Sequence, residues 1–218
     1  MAAPKLSDVL ATVFAQEGCD TLFTLMGDAN MYWTEAMQRQ PGMNIIHARH
    51  EHCAVAMADA YARATGKVGV AMVTSGPGAT NTVTAVRDCF ADSIPIVVIC
   101  GQVPTAAIGT DAFQEAPVSA IMGSVAKHVF LVTDPEKLEA TVRTAFEIAR
   151  TGRPGPVVVD VPKDVQNWSG TFRGEGTLPV PGYRKRLFTT THAGIEDDEA
   201  AAFFAMLRDA KRPLIYAG

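Results

Sequence analysis

Residues 49–81 read RHEHCAVAMADAYARATGKVGVAMVTSGPGATN. The alanine-rich run at 50–65 predicts a helix, and the β-branched residues at 68–74 predict a strand. A Ser-Gly-Pro-Gly turn at 75–78 then opens a second helix. Glu51 and this turn both lie where a strand passes into a helix. In an open α/β sheet, such junctions form the edge where ligands bind.

Strand and helix patterns alternate on both sides of this stretch. Parallel strands need crossover connections, usually helices, so the alternation predicts the α/β class. We expect a doubly wound, six-stranded, mainly parallel sheet with helices on both faces. The predicted strands are 21–25, 44–48, 68–74, 95–100, 125–132 and 156–161. The predicted helices lie between residues 7 and 18, after the turn 26–30 up to residue 38, and at 50–65, 79–90 and 135–150.

The alternation of strands and helices ends after the sixth strand, so we predict a first domain at residues 1–165. Residues 166–194 carry glycine, proline, threonine and scattered charge without a period, which indicates a linker. A helix at 195–210 and a strand at 212–218 follow. We predict that residues 195–218 are the truncated start of a second, central α/β domain.

The charge balance argues against two classes of partner. The chain has 19 basic and 23 acidic side chains, a net charge of −4, and no basic patch. Neither nucleic acid nor an anionic membrane surface is therefore expected to bind. No apolar run approaches the roughly 18 residues that a membrane span requires.

Two further features favour the cytoplasm. The first residues, MAAPKLSD, contain no hydrophobic signal core. The cysteines form no C-x-x-C pair, and we expect them to be reduced and buried. They are Cys19, Cys53, Cys89 and Cys100.

The sequence alone supports two interpretations of the role of Glu51. An acid in the first turn of a helix complements the helix dipole, which contributes about 0.3–1 kcal/mol and would be sufficient to explain it. Alternatively, a carboxylate that follows a buried strand is partly desolvated, as an acid–base group requires. His47, His50 and His52 surround it, but they span a strand end and a helix start. Their rings are not expected to meet at one centre, so we predict no metal site.

The glycine turn suits an anion or a polar ring, because it leads into a helix N-terminus. No lysine–serine or lysine–threonine pair follows, so it is not a P-loop. The next strand ends without an acid, which disfavours a nicotinamide-binding oxidoreductase. Tight packing between helix and strand is the plain alternative. Asn81, one turn later, either donates to a ligand or caps locally.

The loop at 101–120 is long for a compact domain, and such loops are usually functional. Phe113 and Gln114 combine an apolar surface with an amide, as a small polar ligand requires. A charged loop tip is the simpler explanation. Lys163 and Asp164, which close the last strand, are expected to be solvated.

Five motifs occur in order: RHExxAxxMADxYARATGKVGV, VTSGPGATN, DSIPIVVIxGQVP, GTDAFQE and TGRPGPVVVDVPKDV. Together they resemble thiamine diphosphate-dependent enzymes of the acetolactate synthase type. The resemblance covers roughly residues 5–165, which is similar to the N-terminal, pyrimidine-binding domain of that family.

The resemblance implies that Glu51 is the glutamate that activates the cofactor. It would hydrogen-bond the ring nitrogen of the aminopyrimidine and promote the tautomer that takes the proton from the thiazolium carbon. The cofactor would carry the difficult chemistry. Further positions implied to contact the cofactor are Gly27, Ser75, Pro77 and Asn81.

The resemblance also implies that Phe113 and Gln114 reach towards a 2-keto acid substrate, with Asp28 close to it. In that family each site lies between two subunits, so a homodimer or homotetramer is implied. The family's diphosphate and Mg²⁺ motif does not occur in these 218 residues. The chain would hold only the pyrimidine half of the site and be inactive alone, with Mg²⁺ bound through another domain. FAD is a further possible cofactor, through the central domain.

One departure leaves the substrate open. Acetolactate synthases usually carry Gly-Gly-Ala after the first strand, whereas this chain carries Gly27-Asp28-Ala29. The leading hypothesis is decarboxylation of pyruvate with transfer of the acetyl unit to a second 2-keto acid, within branched-chain amino acid biosynthesis. A related decarboxylase, lyase or carboligase is the alternative. A stand-alone pyrimidine-binding module without catalysis is the alternative from another class.

Overall fold

The computed structural model describes residues 5–170, 178–183, 185 and 194–214. The chain divides into two compact units, Met1–Pro179 and Val180–Gly218. No helix among the described residues is long and apolar enough to cross a membrane.

The first unit is built on a six-stranded sheet in which every strand pair is parallel. The strand order is β2-β1-β3-β4-β6-β5. The chain moves outwards from β1 to β2 and then returns to β3, so the connections change direction between β1 and β3. The predicted α/β fold class is confirmed. The strands are β1 (Thr21–Thr24), β2 (Asn44–His47), β3 (Gly69–Val73), β4 (Ile96–Gln102), β5 (His128–Leu131) and β6 (Val157–Pro162).

Helices connect the strands, and most begin close to their predicted positions. A 3₁₀ turn at Thr105–Ala107 and a short helix interrupt the long loop predicted at 101–120. The helices are α1 (Leu6–Gln16), α2 (Met31–Arg39), α3 (Glu51–Thr65), α4 (Pro77–Thr80), α5 (Val83–Ala91), α6 (Val118–Met122), α7 (Pro135–Arg150), α8 (Lys163–Gln166) and α9 (Asp197–Asp209).

The helix predicted at 79–90 is instead two helices, α4 and α5, with a break at Asn81 and Thr82. The buried Thr82 hydroxyl donates to the carbonyl of Ala79 at 2.7 Å. A side-chain hydrogen bond of this kind competes with the regular backbone ladder. The alanine-rich pattern therefore predicted the helix but not its interruption.

The core lies in two layers, one on each face of the sheet. Phe14 of α1 makes edge-to-face contacts with Trp33 of α2 and Phe146 of α7 on one side. Small residues of α3 and α5, such as Ala58 and Val86, belong to a separate buried cluster with alternate β3 and β4 residues. The β3 and β4 strands are buried at every position, as expected for parallel strands covered on both faces.

The cysteines are all unpaired, but one departs from the prediction. Cys19, Cys89 and Cys100 are buried, and burial raises the pKa of the Cys19 thiol to about 12. Cys53 is exposed because it falls on the outer side of α3. The prediction of a buried thiol was wrong there, since the helical period and not the residue type decides which side faces the solvent.

The first residues of the predicted linker pack onto the first unit. The Trp168 carbonyl accepts from the Leu6 amide at 2.9 Å. Ser169 forms an isolated antiparallel bridge with Lys5. Residues 171–177, 184 and 186–193 lie outside the described part, so the predicted linker at 166–194 remains a prediction.

In the second unit, α9 begins with a capping box in which Glu196 and Glu199 hydrogen-bond each other's backbone amides. Of the strand predicted at 212–218, residues 212–214 are not in a strand, and residues 215–218 lie outside the described part.

A close contact between α3 and β3 fixes how far the helix stands from the sheet. A Cβ added at Gly69 would lie 2.2 Å from the carbonyl oxygen of Ala58. We predict that Gly69→Ala lowers the free energy of unfolding by about 1–3 kcal/mol or more, as overpacking does. The matched control is Gly194→Ala, where a Cβ would meet no atom within 4 Å. Chemical denaturation measures both variants, and equal stabilities would contradict the close contact.

Asp160 is a buried carboxyl in β6, 1% exposed. Its Oδ2 accepts a hydrogen bond from Gln102 at 3.1 Å, whereas Oδ1 has no partner among the described residues. Desolvation raises its pKa from 3.8 to about 7, although the Gln102 amide opposes the shift. The folded state therefore binds the Asp160 proton more tightly than the unfolded chain.

This shift makes stability depend on pH with a definite sign. Where the folded carboxyl is protonated and the unfolded one is ionised, from about pH 4 to about pH 7, stability falls as pH rises. We predict that Asp160→Asn removes this loss. Between pH 5 and pH 8, the unfolding free energy of the natural chain should fall by about 2–3 kcal/mol relative to the variant. Urea unfolding across that range checks it, and parallel pH curves would contradict it.

Candidate functional site

The carboxyl ends of β1, β2 and β3 bring together the residues singled out in the sequence. Gly27 follows β1, Glu51 follows β2, and Ser75 follows β3. The connections reverse direction between β1 and β3, and a crevice at such a point is where open α/β sheets bind ligands. The fold thus places the predicted residues at its preferred binding edge.

Glu51 is the first residue of α3 and is only 8% exposed. Its Oε2 accepts a hydrogen bond from Asn81 Nδ2 at 2.9 Å. The N-terminus of α3 also favours a negative charge at this position. Burial, a helix N-terminus and one amide donor therefore act on the same carboxylate.

The glycine turn packs against the long loop and lies close to Glu51. Gly76 adopts a left-handed φ of +50°, and a Cβ there would lie 2.3 Å from the backbone oxygen of Gln114. A Cβ at Gly78 would lie 2.7 Å from the Thr74 methyl group and 3.6 Å from Glu51 Oε1. Glycine at both positions is thus a requirement of close approach.

The other two predicted residues of this turn differ in exposure. Ser75 is buried, 3% exposed, whereas Pro77 is exposed at the first position of α4. Proline suits that position because its fixed φ is already helical.

The turn after β1 is held by Asn30, which is fully buried. Asn30 Oδ1 accepts from the Gly27 amide at 2.7 Å. Thr74 Oγ1 accepts from the Ala29 amide at 3.2 Å, and a Cβ at Gly27 would lie 2.6 Å from Thr74 Cβ. Thr74 therefore joins this turn to the glycine turn. Thr74 was not predicted as a site residue, although it directly follows β3 and precedes the glycine turn.

Asp28 lies at the exposed rim of the same turn. Both of its carboxylate oxygens lie 2.7 Å from Lys163 Nζ. Lys163 begins α8 and also lies over the ring of Tyr32, 5.8 Å from its centroid. The expectation that Lys163 would be merely solvated was wrong, because the partner lies 135 residues away in the sequence.

Asp164, the other residue expected to be solvated, is also bonded. Its carboxylate accepts from the backbone amide of Thr105 at 3.0 Å and from the Thr105 hydroxyl. It therefore ties the 3₁₀ turn of the long loop to the end of β6.

Hydrogen bonds from backbone amides to Glu115 order the tip of the long loop. The Glu115 carboxylate accepts from the backbone amides of Gly109 and Ala112, and these bonds, that of Gly109 foremost, lower its pKa. Gln114 adopts a left-handed φ of +60°. Phe113, at the tip, is 89% exposed.

Gln102 anchors the base of this loop and was not singled out in the sequence analysis. Its Nε2 donates to the Ala116 carbonyl and to Asp160 Oδ2, each at 3.1 Å. Its Oε1 accepts from the Val103 amide at 2.8 Å. A glutamine at a strand end gives no signal by itself, because its partners are set by the fold.

The three histidines near Glu51 do not form a common centre. His50 is the N-cap of α3, where its Nδ1 accepts from the His52 amide at 3.2 Å. Throughout the described residues, no group of three His, Cys, Asp or Glu side chains is arranged to hold a metal ion.

The chain is similar to curated acetolactate synthases. It is 39% identical over 214 residues to "Acetolactate synthase, chloroplastic" of Arabidopsis thaliana, covering 98% of this chain and 31% of that protein. It is 42% identical over 214 residues to "Acetolactate synthase 2, chloroplastic" of Nicotiana tabacum, covering 98% and 32%. It is 38% identical over 218 residues to "Probable acetolactate synthase 2, chloroplastic" of Oryza sativa subsp. japonica, covering 100% and 32%. The chain thus spans about a third of the length of these relatives.

Residues 4–121 match the family described as "Thiamine pyrophosphate enzyme, N-terminal TPP binding domain". This match covers more than half of the chain and includes Glu51, the glycine turn and the loop tip. The resemblance seen in the sequence motifs is confirmed. The chain belongs to the thiamine pyrophosphate enzymes, as their N-terminal cofactor-binding domain.

Proposed function

We propose that this chain provides the pyrimidine-binding half of an acetolactate synthase-type enzyme, which decarboxylates pyruvate and transfers the acetyl unit to a second 2-keto acid. The observation that carries the proposal is the buried Glu51 carboxylate, whose Oε1 would lie 3.6 Å from a Cβ at Gly78 in the glycine turn. The similarity to acetolactate synthases over 98% of the chain supports the same reaction class.

The residues present fit an aminopyrimidine ring. An open carboxylate oxygen can share a proton with a ring nitrogen, and the glycine turn beside it presents backbone without side chains. Ser75 and Pro77 belong to this turn, Asn81 donates to Glu51, and Gly27 lies against the Thr74 side chain that also contacts Gly78. When bound, thiamine diphosphate supplies a nucleophilic carbon that attacks keto acids.

Within this chain, Glu51 acts as the group that holds and moves a proton at Oε1. Glu51 lies at the positive end of the α3 dipole, and burial limits the access of water. A partly desolvated carboxylate at a fixed position can exchange a proton with a bound ring far more effectively than a mobile one.

The loop tip is the part of the chain that we propose meets substrate. Gln102 donates to the Ala116 carbonyl and the Gly76 backbone lies close to Gln114, while Phe113 extends outwards almost fully exposed. An exposed aromatic ring on a hydrogen-bonded loop is suited to cover a small ligand or to enter a neighbouring subunit. Gln114 would contribute an amide to the same contact.

Asp28 keeps the substrate class open within the family. It places a carboxylate where the relatives' motif has a second glycine, and Lys163 balances its charge. A negatively charged keto acid is repelled by an unpaired carboxylate but not by a neutralised pair. A related decarboxylase, lyase or carboligase with a different substrate is therefore the second candidate.

The remaining partners also belong to the proposal. Mg²⁺ and the diphosphate would be bound by a domain outside these 218 residues, and FAD by a central domain, so that the chain alone is inactive. A homodimer or homotetramer would bring a partner's diphosphate-binding domain to Glu51. Four unpaired cysteines fit a reducing compartment, either the cytoplasm or the chloroplast named for the relatives.

We predict that Glu51→Gln in the complete protein lowers kcat by about 100-fold or more, because a general acid–base group typically contributes a rate factor of at least that size. The matched control is Glu136→Gln, because Glu136 is also a first-turn acid, in α7. If the helix dipole alone explains Glu51, both variants lose similar stability and keep their activity. Product assays with pyruvate, thiamine diphosphate and Mg²⁺ measure this, and near-natural activity of Glu51→Gln would overturn the assignment.

We predict that Phe113→Ala leaves the melting temperature unchanged, because the ring is 89% exposed, but lowers kcat/KM for the keto acid about 10-fold. Phe203→Ala, at an exposed position in α9, is the control and should leave both quantities unchanged. Steady-state kinetics and thermal denaturation separate the two effects. Natural kinetics for Phe113→Ala would remove the loop tip from the substrate site.

A further inference from the structure

We propose that Asn81 is a positioning residue that gives the two carboxylate oxygens of Glu51 different tasks. Oε2 is held by the Asn81 amide, and Oε1 is left to exchange a proton with the cofactor ring. This inference rests on the proposed function and adds to it a residue that controls where the shared proton lies.

The first support is the direct contact. Asn81 Nδ2 donates to Glu51 Oε2 at 2.9 Å. Within the part of the chain that the structure describes, Oε1 accepts no hydrogen bond, and a Cβ added at Gly78 would lie 3.6 Å from it. The carboxylate is therefore asymmetric, with one oxygen bonded and one oxygen open.

The second support is that the backbone holds Asn81 rigidly. Asn81 lies at the break between α4 and α5, where its amide donates to the Pro77 carbonyl at 3.0 Å. On the other side, the Thr82 carbonyl accepts from the Val86 amide at 2.9 Å, and the Thr82 hydroxyl bonds back to Ala79. The interruption of the helix thus serves to fix the residue that contacts Glu51.

The third support is the glycine that lies next to Oε1. Gly78 lies against the Thr74 methyl group, and any side chain there would clash with Thr74 and approach Oε1 to 3.6 Å. The same short helix therefore contributes both Asn81, which caps its end and donates to Oε2, and Gly78, which lies beside Oε1 and carries no side chain.

The chemical consequence concerns the shared proton. An amide N–H donor stabilises a carboxylate more than a carboxylic acid, because the charged acceptor makes the stronger hydrogen bond. A proton shared between Oε1 and a ring nitrogen then lies closer to the ring, which is the arrangement that activates the cofactor. Without the donor, the proton lies closer to Glu51.

The test compares Asn81→Ala and Asn81→Asp in the complete protein with thiamine diphosphate and Mg²⁺. Calorimetric titration gives the dissociation constant of thiamine diphosphate as a function of pH. Because a carboxylate that loses its donor holds a proton more tightly, the alkaline midpoint of binding should move up by about one pH unit in Asn81→Ala. In Asn81→Asp a second carboxylate faces Oε2, so the midpoint should move further, by about two units.

A second measurement follows the proton itself. Deuterium exchange at the thiazolium carbon should slow about 10-fold on the pH plateau in Asn81→Ala, since the shared proton is retained by Glu51. Thr80→Ala is the matched control, because Thr80 lies in the same short helix and its hydroxyl donates only to the Pro77 carbonyl among the described residues. Its midpoint and exchange rate should both remain natural.

The outcomes separate this inference from the proposed function. A loss of affinity that is equal at every pH, without a change of midpoint, would show a merely structural role for Asn81 and overturn the inference. If Asn81→Ala folds poorly, the nearly isosteric Asn81→Asp decides by the same criterion. Natural exchange in Glu51→Gln would instead defeat the proposed function. Slow exchange in Glu51→Gln with an unshifted midpoint in Asn81→Ala defeats the inference alone.

Discussion

The candidate site depends on one packing arrangement, in which two glycine-containing turns close around the side chain of Thr74. A Cβ at Gly27 would lie 2.6 Å from Thr74 Cβ, and one at Gly78 would lie 2.7 Å from its methyl group. The threonine fills the space that both glycines leave free. Its hydroxyl in addition accepts from the Ala29 amide. A larger residue at either turn would separate the ends of β1 and β3 and open the crevice beside Glu51.

Residues away from the glycine turn help to hold this arrangement in place. The close contact between α3 and β3, made possible by Gly69, fixes the distance of α3 from the sheet. This distance in turn places Glu51, the first residue of α3, beside the glycine turn. The buried Gln102 side chain positions the long loop by donating to Ala116 and to Asp160. Burial of the Asp160 carboxyl raises its pKa to about 7. Packing at Gly69 and hydrogen bonds at Gln102 thus help to position the residues of the candidate site.

The features that the sequence predicted well are those with local causes. The alanine-rich period of α3, the branched residues of β3 and the proline and glycine signals all act within a few residues. The missed features depend on partners far along the chain. Lys163 meets Asp28 across 135 residues, and Gln102 meets Asp160 across 58. The interruption at Thr82 was missed for a different reason, since a hydroxyl in a helical pattern does not reveal which carbonyl it will bond.

The ion pair between Asp28 and Lys163 couples the charges of two residues that lie 135 positions apart in the sequence. The Asp28 side chain is mostly exposed, whereas the Lys163 side chain is 26% exposed and lies over the ring of Tyr32. They are nevertheless linked by charge. Replacing either residue alone leaves an uncompensated charge at the turn after β1, whereas replacing both with neutral residues removes both charges. Replacing Asp28 with glycine would therefore leave the Lys163 ammonium over the ring of Tyr32, 5.8 Å from its centroid, with its charge no longer balanced by Asp28.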